Sequence, residues 1–176
     1  MANHELRQHL GIAGEFLVAG ELNRRWINAS ISFGQSKKAD VFVYDSDKSK
    51  ILRIEVKTTD KSKWPIGNKI VEEKNWIEDW FWVLVRLPTR PAVHHDRITD
   101  EIRGSNAPRY YVLTSTELGS IAKRKLDAYL EQYKKRHGRE YSANLVHTVT
   151  IEDVETHEDA WKKIQNAFLF DHLGVA

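Results

Sequence analysis

Apolar residues recur at helical spacing near the start of the chain. Leu6, Leu10, Ala13 and Leu17 form one stripe, widened by Ile12, Phe16 and Ala19, and predict a helix over residues 4–25. Gly11, Gly14 and Gly20 weaken that helix intrinsically, so they are expected to serve close backbone packing. The period then shortens. Ala29 to Phe33 reads as a short strand ended by Gly34, and two further strand-like runs, about 39–45 and 50–58, flank a polar turn. Between Asp60 and Gly67 the chain is polar and breaks at Trp64-Pro65. A short helix is expected over Ile70–Trp76. Asp79 to Leu87 is β-branched and aromatic throughout and predicts a strand that Pro88 and Pro91 stop. A long connection over 88–108 leads to a strand at Tyr110–Leu113. Thr114 to Glu117 then reads as an N-terminal cap for a helix running to about His137. A strand at Leu145–Ile151 and an amphipathic helix at about His157–Phe168 complete the chain.

This order predicts an α/β protein of mixed three-layer type, with a central sheet covered by helices. At 176 residues it reads as one domain over 1–176, with a C-terminal helical extension from about residue 115.

The polar turn fixes more than an element boundary. If Ser46 to Ser49 close a four-residue loop, an antiparallel ladder sets Val43 opposite Leu52, Val41 opposite Ile54 and Asp40 opposite Glu55. Alternation then sends Leu52, Ile54 and Val56 to one face and Arg53, Glu55 and Lys57 to the other. Two carboxylates and an ammonium converge on one face. Like charges directly opposite each other destabilise a sheet, so a cation belongs between Asp40 and Glu55: either Lys57 or a divalent metal.

Composition changes this picture little. Hydrophobic residues at 41% and charged residues at 30% describe an ordinary globular chain. No apolar run approaches the roughly 20 residues that span a bilayer, and the N-terminus lacks the layout of a signal peptide, so no membrane role is expected. The chain has no cysteine, which removes disulfides and thiolate metal sites and fits a cytoplasmic protein. The net charge of +2 hides an uneven distribution: residues 121–139 are basic and 152–159 acidic. They read either as two solvated helix faces or as a phosphate-facing surface.

Paired carboxylates followed two residues later by a lysine suit phosphodiester hydrolysis. Mg²⁺, with Mn²⁺ as substitute, takes oxygen ligands and leaves positions for water and a substrate phosphate. The carbonyl of Val56 stands at a height where it adds a ligand. Lys57 would position or deprotonate the attacking water, or neutralise charge on the phosphate. No glycine-rich phosphate loop, His/Cys zinc pattern or nucleophile elbow competes. The bland alternative is an exposed strand face with outward charges.

A helix glutamate, then Asp40, then Glu55-Val56-Lys57, on elements ordered α-β-β-β-α-β, resembles the PD-(D/E)XK nuclease superfamily. Gly11–Ala19 resembles the first helix of its uncharacterised prokaryotic members, Arg53–Thr58 their catalytic strand and Trp80–Val85 the strand after it. Tyr110–Leu113 and Trp161 also have counterparts, so the likeness covers residues 11 to about 115. It implies a restriction-endonuclease-like fold and a Mg²⁺-dependent DNA endonuclease of restriction, repair or junction-resolving type. Asp40 and Glu55 would be metal ligands, Lys57 the catalytic lysine and Glu15 an accessory acid. Gln35 would add a polar contact. The motif's proline position holds Ala39, a position that varies in the superfamily. Cutting both strands would call for a homodimer, although the chain carries no coiled-coil signature. Two alternatives stay open: a catalytically silent DNA-binding or regulatory subunit of the same fold, and a protein-interaction or accessory module.

Aromatic and basic residues interleave in Lys61-Ser62-Lys63-Trp64, just after the proposed catalytic strand. They read either as a nucleic-acid contact or as a polar flank. Trp76, Trp80 and Trp82 read instead as sheet and core aromatics. His94-His95-Asp96 reads as a solvent-facing loop. Arg86, Arg90, Arg97 and Arg103 either track a DNA backbone or decorate a polar surface.

Overall fold

A computed structural model describes residues 2–32, 39–45, 47, 50–88, 107–141 and 147–169. Gln35, Arg90, His94, His95, Asp96, Arg97 and Arg103 lie outside them.

The elements follow the hydrophobic pattern closely. Helix α1 (Ala2–Arg24) leads into β1 (Asn28–Ile31), β2 (Val41–Tyr44) and β3 (Ile51–Thr59). The sequence reading did not foresee the next strand, β4 (Lys63–Pro65). The short helix expected over 70–76 is instead two 3₁₀ turns, Asn68–Val71 and Glu73–Asn75. Strands β5 (Trp80–Arg86) and β6 (Arg109–Thr114), helix α2 (Ser115–His137) and β7 (Thr148–Thr150) follow. A short α3 (Ile151–Val154) and a 3₁₀ turn (Glu155–His157) come next, and the helix expected over about 157–168 is shortened to α4 (Lys162–Leu169).

The main sheet has the order β1-β2-β3-β5-β6. It is mixed: β3 and β5 pair in parallel and the other neighbours are antiparallel. Helices cover both faces, as expected of a three-layer α/β architecture. On one face Val41, Val43, Leu52, Ile54, Val56, Val83 and Val112 pack against Val18 and Leu22 of α1, Trp161 just before α4, and Ile164 within it. On the other, Trp82, Leu84, Tyr111 and Leu113 pack against Leu118 and Ile121 of α2. A small second sheet, β4 with β7, joins that layer. The C-terminal residues thus serve both cores: Val149 and Val154 belong to one and Trp161 and Ile164 to the other.

Helix α2 starts as its sequence predicts. The Thr114 side chain accepts from the Glu117 N–H at 3.1 Å, and Glu117 accepts from the Thr114 N–H at 2.8 Å, a reciprocal cap. Gly138, at φ 65°, takes the left-handed position that ends the helix.

Helix α1 differs from expectation in its orientation. Gly14 lies so close to β3 that a Cβ there would stand 1.8 Å from Thr58 Oγ1. Gly11 and Gly20 meet nothing within 4 Å, so close approach explains only Gly14. With Gly14, Val18 and Leu22 turned to the sheet at four-residue spacing, Phe16 falls on the far side of the helix. Phe16, Ile12 and Leu6 are accordingly exposed. Among the described residues no helix is long and apolar enough to cross a membrane.

Candidate functional site and the adjoining groove

The β2–β3 register is the one the turn predicts: Val43 faces Leu52 and Val41 faces Ile54. The regular register ends there: the Asp40 N–H donates at 3.0 Å to the carbonyl of Ile54, the residue already opposite Val41, so the ladder breaks before Asp40 would face Glu55 as expected. At the following step a side chain takes over. Asp40 Oδ2 accepts from the Val56 N–H at 2.8 Å. In an extended strand the N–H and C=O of one residue point to the same edge. The Val56 carbonyl therefore faces the edge on which Asp40 stands.

Glu55 and Lys57 project from the opposite face of β3 to the buried Leu52, Ile54 and Val56. Lys57 Nζ donates to Glu55 Oε1 at 2.6 Å and lies 5.8 Å from the centre of the Trp82 ring. Of the two carboxylates expected to share a cation, Glu55 is the one that Lys57 meets. Both side chains keep part of their surface in solvent, so the pair is open to exchange with a ligand.

Glu15 is half-buried and follows Gly14 directly. It belongs to the α1 layer, on the other side of the sheet from Glu55 and Lys57, at the level of Thr58.

Asp40 and the Val56 carbonyl, on the β2 side of β3, and Glu55, on its outer face, are oxygen donors of the kind a hard divalent cation takes. No group of three His, Cys, Asp or Glu side chains placed to hold a metal occurs among the described residues. The protein's share would be two carboxylates and a carbonyl, leaving positions for water and phosphate.

Lys61 and Lys63 are exposed at the end of β3, where Lys61, Lys63 and Arg7 line one hollow of about 380 Å³. Trp64 is the correction. It is fully buried, its indole N–H donates to the Val85 carbonyl at 3.0 Å, and its ring meets Tyr111 edge-on at 5.4 Å. A ring closed in this way presents no face to a base, so Trp64 is a core residue and not a nucleic-acid contact. The cause is local: β4 alternates out, in, out, which sends Lys63 and Pro65 to solvent and Trp64 inward.

The sequence reading missed a groove beside Glu55. Because β3 and β5 run parallel with Arg53 beside Trp80 and Glu55 beside Trp82, these side chains share one face. They line a groove of about 940 Å³, closed on its far side by the Gly67–Asn75 crossover, including Lys69. Trp80 and Trp82 stack at 6.1 Å with 19° between planes, and Arg53 lies over Trp80 at 5.3 Å. The available signal was the i, i+2 spacing of Trp80 and Trp82, which puts both on one face of a strand.

The uneven charge is partly settled within the fold. Lys125 of the basic run pairs with Asp153 of the acidic run, and Arg109 meets Glu158 through two bonds of 2.6 Å.

No protein-family profile matches the chain, and no curated protein sequence does. Among solved structures the chain is similar to Hjc of Archaeoglobus fulgidus, a Holliday junction resolvase from an archaeal hyperthermophile. The identity is 13%, the TM-score 0.44, and the match covers 83% of this chain and 93% of that one.

Proposed function

We propose that this protein is a metal-dependent DNA endonuclease of the PD-(D/E)XK type, with Asp40, Glu55 and Lys57 at its centre. The observation that carries the reading is the Asp40–Val56 hydrogen bond. It holds a carboxylate at the end of the β2 ladder, next to Glu55 and on the edge the Val56 carbonyl faces.

Asp40, Glu55 and the Val56 carbonyl would hold Mg²⁺, or Mn²⁺ in its place. A bound ion of this kind polarises a phosphoryl oxygen and lowers the pKa of a coordinated water. Glu55 keeps the Lys57 ammonium beside the carboxylates. From there Lys57 orients the attacking water and offsets charge growing on the phosphate. Glu15 acts as an accessory acid from α1. Lys61 and Lys63, with Arg7 beside them, meet the DNA backbone, and Gln35 adds a polar contact. Cutting both strands requires two copies of the site, hence a homodimer on the DNA.

The test is cleavage of supercoiled, linear, branched and single-stranded DNA in Mg²⁺ and in Mn²⁺, comparing wild type with Glu55→Ala and Lys57→Ala. Each variant is expected to lose cleavage by on the order of 10²-fold or more. Wild type that binds DNA in a salt-sensitive way yet cuts none of these substrates would make it a binding or regulatory subunit. Absence of both binding and metal affinity would make it an interaction module.

A further inference from the structure

We infer that the groove between the β3–β5 face and the Gly67–Asn75 crossover receives an unpaired base of the DNA substrate, stacked on Trp80 beside the proposed cleavage site. The inference rests on the nuclease reading for the identity of its ligand as DNA. The groove itself is shaped independently of it.

Three features of the groove agree. First, it offers an aromatic face at its rim: Trp80 is half-buried and lines the groove, while the more deeply set Trp82 backs it at 6.1 Å. Second, cations surround those rings. Arg53 and Lys57 lie over Trp80 and Trp82, and Lys69 is exposed on the opposite wall. Acidic side chains of the crossover are neutralised nearby, Glu72 by Lys74 and Glu73 by Lys123, so the wall does not repel phosphate. Third, Glu55 lines the groove and holds Lys57, so a nucleotide seated here lies beside two of the residues of the proposed centre.

The shape selects an unpaired base. In a duplex, ring faces are hidden in the stack and only edges are offered, whereas a base outside the stack can lay its face on an indole, taking the place over Trp80 that the Arg53 guanidinium now holds. The tryptophans' hydrogen bonds point the same way. Trp64, Trp76 and Trp161 each donate their indole N–H to an oxygen of the chain. Trp80 and Trp82 are buried at that nitrogen with no acceptor among the described residues. These rings are held by packing against the second core and by their mutual stacking, with no indole hydrogen bond to fix their tilt.

The test measures binding to wild type in EDTA, where cleavage is suppressed, by anisotropy of labelled DNA. Four DNAs are compared: a blunt duplex, the same duplex with one unpaired base, the same duplex with an abasic residue at that position, and a single strand. The unpaired-base duplex and the single strand are expected to bind on the order of tenfold more tightly than the blunt duplex, with quenching of tryptophan fluorescence. The abasic duplex is expected to lose that gain. Trp80→Leu, which keeps apolar bulk without a ring, is expected to abolish the preference, and Trp80→Phe to retain most of it.

Equal binding of blunt, unpaired and abasic duplexes by wild type would overturn the inference, even if Trp80→Leu fails to fold. A folded Trp80→Leu protein that keeps the preference would overturn it too. Metal-dependent cleavage without any preference would sink the inference alone and leave the nuclease standing. Preference for the unpaired base without cleavage under any metal would sink the nuclease reading and leave the groove. Neither binding nor cleavage would overturn both.

Discussion

The Val56 N–H donates to Asp40 Oδ2 across 2.8 Å, so a side chain stands where the β2–β3 ladder would place its next backbone acceptor. Asp40 therefore has one job in the fold and, on the proposed reading, a second in the site, and substitution can separate them. Asn can turn its amide oxygen to the same N–H, whereas Ala leaves that donor without its partner, at a cost of about 1–3 kcal/mol. Asp40→Asn is expected to unfold near the wild-type midpoint yet lose metal binding and cleavage. Asp40→Ala is expected to lose stability as well. Denaturant melts alongside metal titration calorimetry would decide. Equal destabilisation by the two variants would mean the hydrogen bond is not what Asp40 contributes to the fold.

The contact of Gly14 with Thr58 sets the distance between α1 and β3. A Cβ at Gly14 would stand 1.8 Å from Thr58 Oγ1 and 3.0 Å from its Cβ, closer than the strand can relieve by turning a side chain. Gly14→Ala is expected to destabilise by about 1–3 kcal/mol through overpacking. Removing the hydroxyl in the Gly14→Ala/Thr58→Ala double variant should recover part of that loss. A thermal-melt double-mutant cycle measures the recovery, and simple additivity of the two changes would contradict the contact.

Acid should loosen the C-terminal segment before the sheet. Burial raises the Glu117 pKa, but the Lys163 ammonium and the Thr114 N–H outweigh it and hold the carboxyl below its ordinary 4.5. Burial is likewise outweighed at Asp153 by Lys125 and the Thr150 backbone, and the carboxyl stays below 3.8. The Arg109 bond holds Glu158 below 4.5. His157, between Lys163 and Glu117, is held below 6.5 by burial and by the Lys163 charge. A depressed pKa means that the unfolded chain takes up the proton more readily, so each group stabilises the fold above its ordinary value and loses that contribution as pH falls. The loss begins near 6.5 with His157 and steepens below 4.5 with the carboxylates. Hydrogen exchange across a pH series should show residues 148–169 losing protection ahead of β3 and β5. Glu117→Gln should lower the neutral-pH melting temperature and flatten its fall with acid. An unchanged slope in that variant would count against the assignment.

The hairpin that builds the site was legible because its two strands are joined by a short turn and each buries one face. A one-residue slip would have put Leu52, Ile54 and Val56 in water. The β3–β5 pairing was not legible. A parallel neighbour arrives through a crossover, and no local pattern sets which residue of Trp80–Arg86 lies beside Glu55. With it went the groove, whose wall exists only once Arg53 and Trp80 are known to be adjacent. Trp64 was misplaced for a related reason. Its strand is three residues long and paired with Thr148–Thr150, more than eighty residues away in sequence, and so short a run carries too little alternation to outweigh the basic residues around it. The stripe on α1 was counted from its most apolar side chains, whereas the face was decided by its smallest residue, Gly14.

The final residues also bear on how the chain is made. Strand β6 is at the margin of the main sheet, and its outer side is met by the Asp159 N–H on the Tyr110 carbonyl at 2.8 Å and by a bridge between Tyr111 and Glu158. An uncovered margin of this kind is a template for pairing with another molecule. During synthesis every strand of the main sheet leaves the ribosome before the segment that seals it, so each nascent chain passes through an interval in which its sheet is open on that side. Ribosome stalling or proteolytic loss before residue 158 should therefore lead to self-association, with Glu158 and Asp159 serving to shield the sheet that precedes them.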